Sequence, residues 1–195
     1  IVISAPSGCG KDTILEQLHK KNTNLTQSVS ATTRAIREGE TDGVSYHFTT
    51  VDEFEKMIEN GEVLEYTSYC GNYYGTPKKA VTDLLAQGKD VILKIEVEGA
   101  MNIKRIFPEC VLIFILPPSI SELERRLRKR GTETEETIAA RTAQARNELE
   151  YADKFDYLVV NGDLDKAVDD VNAVILAEKM KAERNAALLD EIKRS

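Results

Sequence analysis

Gly8, Gly10 and Lys11 stand in the run Ala5-Pro6-Ser7-Gly8-Cys9-Gly10-Lys11-Asp12-Thr13, after the apolar Ile1-Val2-Ile3 and before Ile14-Leu15-Glu16-Gln17-Leu18. A strand that passes through a glycine-rich turn into a helix, with a lysine closing the turn, suits phosphate. Backbone N–H groups and the helix N-terminus face the anion, and the lysine reaches the outer phosphates. The usual pattern G-x-x-x-x-G-K-[ST] has glycine where this chain has Ala5, and a Mg²⁺-binding hydroxyl where it has Asp12. Thr13 brings a hydroxyl one place later. A carboxylate at position 12 either ligates Mg²⁺ itself or repels the phosphates. At ~4 Å and an effective dielectric near 20, that repulsion is about 4 kcal/mol, so the difference matters. Taken alone, the loop is also compatible with an ordinary strand-to-helix turn.

Two further groups of residues suit anionic ligands. Ser30-Ala31-Thr32-Thr33-Arg34-Ala35-Ile36-Arg37 sets two arginines in a polar stretch, and guanidinium groups fork onto phosphate oxygens. Tyr46 and Tyr73-Tyr74 add phenolic hydroxyls. Arg125-Arg126-Leu127-Arg128-Lys129-Arg130-Gly131 is followed by an acidic run and Arg141. The break at Gly131 predicts a helical hairpin able to swing arginines over a site, a lid by pattern. Both groups also read as solvated surface, with half-buried strand tyrosines and i,i+4 Glu–Arg pairs.

The elements that must position these residues are legible from apolar patterning. Buried parallel strands are predicted at Ile1–Ile3, Val91–Ile95, Val111–Leu116 and Tyr157–Val160, alternating with helices at Lys78–Gln87, Ser119–Arg130, Glu135–Ala152 and Leu164–Ile192. The last is expected to pack as one helix. From Ser28 to Thr76 the pattern changes to short antiparallel strands around a helix at Val51–Asn60, with Thr50 and Glu53 as a capping box and Gly61 as its stop.

Composition narrows the function. The 195 residues fit one domain with insertions, and the net charge of −7 argues against nonspecific binding to nucleic acid or anionic lipid. Cys9, Cys70 and Cys110 lack metal-ligand spacing and, with only His19 and His47 beside them, predict reduced thiols and no zinc site. No signal peptide or membrane-length apolar run is read, so a cytoplasmic protein is expected. The chain opens at Ile1 inside a strand-like run, which predicts leading residues before it.

Together these motifs resemble the guanylate kinases over nearly the whole chain. The resemblance is carried by Ser7-Gly8-Cys9-Gly10-Lys11, Ser30 with Thr32-Thr33-Arg34 and Arg37, Gly43 to Phe48, Gly71-Asn72-Tyr73-Tyr74-Gly75-Thr76, Glu98-Gly99 and Arg130-Gly131-Thr132-Glu133. It implies an α/β P-loop fold, a three-layer sandwich on a central parallel sheet. An inserted small α+β GMP-binding region and a helical lid complete it. The core would comprise 1–28, 78–117 and 143–195, the insertion 29–77 and the lid 118–142.

The activity implied is ATP-dependent phosphorylation of GMP, with Mg²⁺ as cofactor and no nucleic-acid or membrane partner. Ser7 to Thr13 and Asn161 would bind ATP, Asn161 at the adenine ring, with Asp12 or Thr13 toward the metal. Arg34, Arg37, Tyr46 and Tyr74 would hold the GMP phosphate. Glu65 would accept the guanine N1–H and amino group, Ser30 and Thr76 would add hydroxyls, and Glu96 would lie near the amino side. Lys11, Arg34 and the lid arginines Arg126, Arg130 and Arg141 would neutralise the transferring group. Lys94 and Glu98 depart from the residues usual in the family. The competing reading is a guanylate-kinase-like module that binds protein. Such modules tend to lose the loop lysine or the lid arginines, and all are present here.

Overall fold

The computed structural model describes residues 1–69, 71–129 and 134–195. In chain order its elements are β1 (Val2–Ser4), α1 (Lys11–Lys21), β2 (Leu25–Gln27), β3 (Ala31–Thr32), β4 (His47–Phe48), α2 (Val51–Glu59), β5 (Val63–Tyr69), β6 (Asn72–Pro77) and α3 (Lys78–Ala86). They continue with β7 (Asp90–Lys94), α4 (Val97–Ile106), β8 (Leu112–Leu116), α5 (Ile120–Lys129), α6 (Glu135–Leu149), β9 (Tyr157–Val160), α7 (Leu164–Lys179) and α8 (Ala186–Arg194). The larger sheet has the order β2-β7-β1-β8-β9, with parallel pairing at β2–β7, β1–β7 and β8–β9. This is the expected α/β architecture. The strand missing from the sequence reading is β2, which lies at the sheet edge and buries only Leu25, too little apolar pattern to register.

The chain divides into two compact units, Ile1–Ala5 with Lys21–Leu112, and Pro6–Lys20 with Ile113–Ser195. The first unit holds 29–77 together with 78–112, and the second holds 118–142 together with the loop at 6–13.

In the first unit, Val2, Ile3, Val91 and Ile92 form a strand core under α4, which contributes Ala100 and Ile103. A second sheet, β4-β3-β6-β5, carries Glu65, Tyr74 and Thr76. Its β3–β6 and β5–β6 pairs are antiparallel as predicted, whereas β4 runs parallel to β3. Parallel neighbours need a long connection, and 33–46 supplies it. Phe54 of α2, fully buried, stacks on Tyr73 at 5.2 Å between centroids and anchors the helix to this sheet. The capping box of α2 forms as predicted: the Thr50 hydroxyl accepts from Glu53 N–H and the Glu53 carboxylate accepts from Thr50 N–H.

In the second unit, Ile14 and Leu18 of α1, Leu123 and Leu127 of α5, Ile113 to Ile115 of β8, and Val168, Val171 and Ile175 of α7 are buried. The expected helix 164–192 is two. Glu178, 4% exposed near the end of α7, accepts the Tyr157 hydroxyl at 2.5 Å and pairs with Lys181 at 2.7 Å. The Asn185 amide then caps the carbonyls of Lys179 and Lys181. Folding the chain back onto Glu178 ends α7, and α8 leaves Leu188, Leu189 and Ile192 exposed, contrary to the packing expected of them. Among the described residues no helix is long and apolar enough to cross a membrane.

Candidate active site

Glu65 is the most unusual side chain of the first unit, a carboxylate only 6% exposed. Its place on β5 follows from a break in register: Val63 faces Pro77 and Tyr66 faces Gly75, so Leu64 and Glu65 together oppose Thr76. A bulge of this kind turns adjacent residues to the same face, and both are buried. The Thr76 hydroxyl donates to Glu65 Oε1 at 2.5 Å. Burial pushes the Glu65 carboxyl up to about 7; the Thr76 hydrogen bond opposes this, and the carboxylates of Glu96 and Glu98 add to it. Gly75 allows the close strand approach, since a Cβ there would lie 2.9 Å from the Glu65 carbonyl and 2.8 Å from Phe54 Cζ. Glu96 is exposed at the N-cap of α4, and Glu98 is exposed in its first turn.

The Thr-Thr-Arg segment is held by its threonines. Thr32 Oγ1 donates to Tyr73 O at 2.8 Å and accepts from Arg34 N–H at 3.2 Å, while Thr33 Oγ1 accepts from Tyr73 N–H at 2.9 Å. These bonds fix where Arg34 leaves the sheet. Its guanidinium forks onto Glu40, with Nη2 to Oε1 at 2.7 Å and Nη1 to Oε2 at 3.0 Å. It also lies 5.5 Å from the Tyr46 ring centroid, and Tyr46 packs edge-on to Tyr74 at 6.0 Å. The Glu40 hydrogen bond is the main cause of a raised Arg34 pKa and of a lowered Glu40 pKa. Arg34, Tyr46 and Tyr74 are therefore brought together. Arg37 is exposed, donating its backbone N–H to Glu40 at 2.8 Å. Ser30 is half-buried, and its carbonyl accepts from His47 N–H at 2.8 Å.

In the second unit the loop has the geometry the glycines predict. Gly8 at φ +92° and Gly10 at φ +84° occupy the left-handed region, where side chains are strained. Glycine is required for space as well: a Cβ on Gly8 would lie 2.8 Å from Leu127 Cδ2, and one on Gly10 would lie 2.6 Å from Asn161 Nδ2. Lys11 begins α1, with Asp12 and Thr13 exposed in its first turn and Ser7 half-buried ahead of it. Cys9 points inward, 1% exposed, and burial pushes its thiol up to about 12, so it is a packing group rather than a nucleophile.

Asn161 is 6% exposed. Its amide Nδ2 donates to Cys9 O at 2.7 Å, its N–H donates to Leu116 O at 2.8 Å, and its carbonyl accepts from Arg126 Nη2 at 2.9 Å. It ties the phosphate loop to the end of β8 and to α5, a use of the amide that the residue's position in the sequence does not disclose. Arg126 also donates Nε to Glu122 at 2.7 Å. Hydrogen bonds from Arg125 and then Arg126 hold the Glu122 carboxyl at about 2. Arg141 is half-buried on α6, and Arg130 lies outside the described residues.

Sequence reasoning missed Glu40 and the supporting role of Asn161. Glu40 reaches Arg34 through a turn in which Glu40 N–H donates to Arg37 O and Gly39 adopts φ +83°; the two side chains share no helical or strand spacing that signals the pair.

A family model for guanylate kinase matches residues 1–178. A guanylate kinase from Carboxydothermus hydrogenoformans is 54% identical over 184 residues, which cover 94% of this chain and 90% of that protein. One from Bacillus subtilis is 48% identical over 187 residues, covering 95% and 92%. The crystal structure of guanylate kinase from Anaplasma phagocytophilum matches with a TM-score of 0.78 at 35% identity, covering 94% of this chain and 87% of that one.

Proposed function

This chain belongs to the guanylate kinase family, and on that premise we propose that it transfers the terminal phosphoryl group of ATP to GMP, with Glu65 reading the base. The observation that carries the base assignment is a buried carboxylate with Oε1 satisfied by Thr76 and acceptor capacity left over. Guanine offers N1–H and the 2-amino group side by side, a donor pair that matches two carboxylate oxygens. Adenine has an acceptor at N1, so AMP would leave the carboxylate buried and unpaired, the type of mismatch that rejects an analogue strongly. Ser30 and Glu96 complete the base contacts in this reading.

The GMP phosphate falls to Arg34, Arg37, Tyr46 and Tyr74. Glu40 acts as a placeholder, presenting the Arg34 fork in a geometry that suits a phosphate equally well. Because the acceptor is already an anionic phosphate oxygen, no general base is needed; positioning and neutralisation of charge do the work. The loop from Ser7 to Lys11 holds the ATP phosphates through backbone N–H groups and the Lys11 ammonium. Arg126, Arg130 and Arg141 supply further positive charge, Arg126 by exchanging Asn161 O for phosphate. We assign 29–77 to GMP binding and 118–142 to the lid.

Mg²⁺ bound with ATP would supply charge neutralisation between the outer phosphates. It keeps several waters and takes one or two protein oxygens beside phosphate, so the exposed Asp12 carboxylate and Thr13 hydroxyl are of the right chemistry and number.

The base assignment is tested by Glu65→Ala. The expected result is a rise of about 100-fold or more in KM for GMP with KM for ATP within about threefold of the parent. A variant that distinguishes GMP from AMP as well as the parent does removes Glu65 from the base site.

A further inference from the structure

We propose that Gly99 is a positioning residue for base selectivity: the space left by its missing Cβ is filled by the Glu65 carboxylate, and any side chain there displaces the reading group. The inference rests on the assignment of Glu65 to the guanine edge.

Gly99 is buried in the first turn of α4. It is not among the glycines with positive φ, so its backbone asks for no special residue. In a helix, alanine is favoured over glycine at such a position. What excludes alanine is distance. A Cβ at position 99 would lie 2.5 Å from Glu65 Oε2 and 3.1 Å from Glu65 Cδ, whereas its next neighbour, Ile95 Cδ1, sits at an ordinary 3.4 Å.

The atom that must move is therefore Oε2, the oxygen other than the one that accepts the Thr76 hydroxyl. The rest of Glu65 has little freedom to absorb the change. Its backbone is fixed by the bulge opposite Thr76, and Gly75 is packed against its carbonyl. Guanine needs both oxygens in register with two donors, so displacement of Oε2 penalises GMP. AMP gains nothing from the carboxylate and is little affected. Selectivity is thus set jointly by a residue that contacts the base and one that holds the contact in place.

The experiment is a double-mutant cycle with Gly99→Ala and Glu65→Ala, scored by steady-state kinetics with GMP, AMP and ATP. Gly99→Ala should lower kcat/KM for GMP about tenfold, mainly through KM, narrow the GMP-to-AMP preference by a similar factor, and leave KM for ATP within about twofold. In the Glu65→Ala background the same substitution should change kcat/KM for GMP by less than about twofold, because the group it displaces is gone. An equal effect in both backgrounds, or none in either, overturns the proposal while leaving Glu65 as the base reader. Unchanged base selectivity in Glu65→Ala alone is the separate result that removes the underlying assignment, and the proposal with it. If Gly99→Ala does not fold by circular dichroism, Glu65→Ala must restore folding, and failure to restore it also overturns the proposal.

Discussion

In the proposed reading, Glu65 ties recognition to stability in one side chain. In the unfolded chain its carboxyl ionises near 4.5, whereas burial in the fold keeps the proton on up to about 7. Below 4.5 both states are protonated and the group does not alter stability with pH. Between 4.5 and 7 the unfolded chain releases a proton that the folded one retains, so stability falls as pH rises. The loss approaches about 3 kcal/mol and is complete above 7. Denaturant titrations of ligand-free protein should show the parent losing ground to Glu65→Gln across that window and holding level beyond it. A pH-independent difference would mean that the carboxyl is not raised. At Asp12 the prediction concerns the metal: Asp12→Ser should shift the Mg²⁺ concentration for half-maximal turnover upward by about threefold or more. An unchanged requirement and rate would rule out direct ligation. Both carboxylates were visible in the sequence, Glu65 through the family resemblance and Asp12 through its misfit to the loop pattern. The bulge, Glu40 and the packing of Gly99 against Glu65 were not, because each acts through a neighbour distant in sequence or joined to it by an irregular turn.

Asn161 connects three elements, accepting from Arg126 of α5 while donating to Leu116 at the end of β8 and to the phosphate loop at Cys9. Removing its side chain leaves the Cys9 carbonyl buried without its donor and opens space beside Gly10. Asn161→Ala should therefore destabilise the protein by about 1–3 kcal/mol in thermal or denaturant unfolding. It should also raise KM for ATP with little change in KM for GMP. An effect on GMP alone would contradict its role as a loop support. The element pattern itself was largely readable: the strands that became β1, β7, β8 and β9 are continuous apolar runs, and the α2 cap follows a local rule. Departures arose where tertiary contacts overrode local pattern. β2 has too few apolar residues to announce an edge strand. The helical periodicity across 164–192 gives no sign that Glu178 will gather Tyr157, Lys181 and Arg184 and turn the chain back.

At the scale of the molecule, the proposal is that a chain of net charge −7 handles two polyanionic nucleotides by concentrating positive charge locally. One compact unit contains the buried Glu65 carboxylate and the Arg34 group, and the other contains the glycine loop, Lys11, Arg126 and Arg141. Each recognition group is built within its own unit from strand ends, a bulge, close-packed glycines and helix starts, so the chemistry is distributed over a fold whose sheet and helices were predictable from apolar period. The central claim is that this assembly phosphorylates GMP in preference to other nucleoside monophosphates. It is tested most directly by coupled measurement of ADP release from ATP and Mg²⁺ with GMP, AMP, CMP or UMP as acceptor. ADP formed only with GMP, with the other three at the acceptor-free background, is the predicted result. ADP formed with none of them, or equally with AMP, would contradict it.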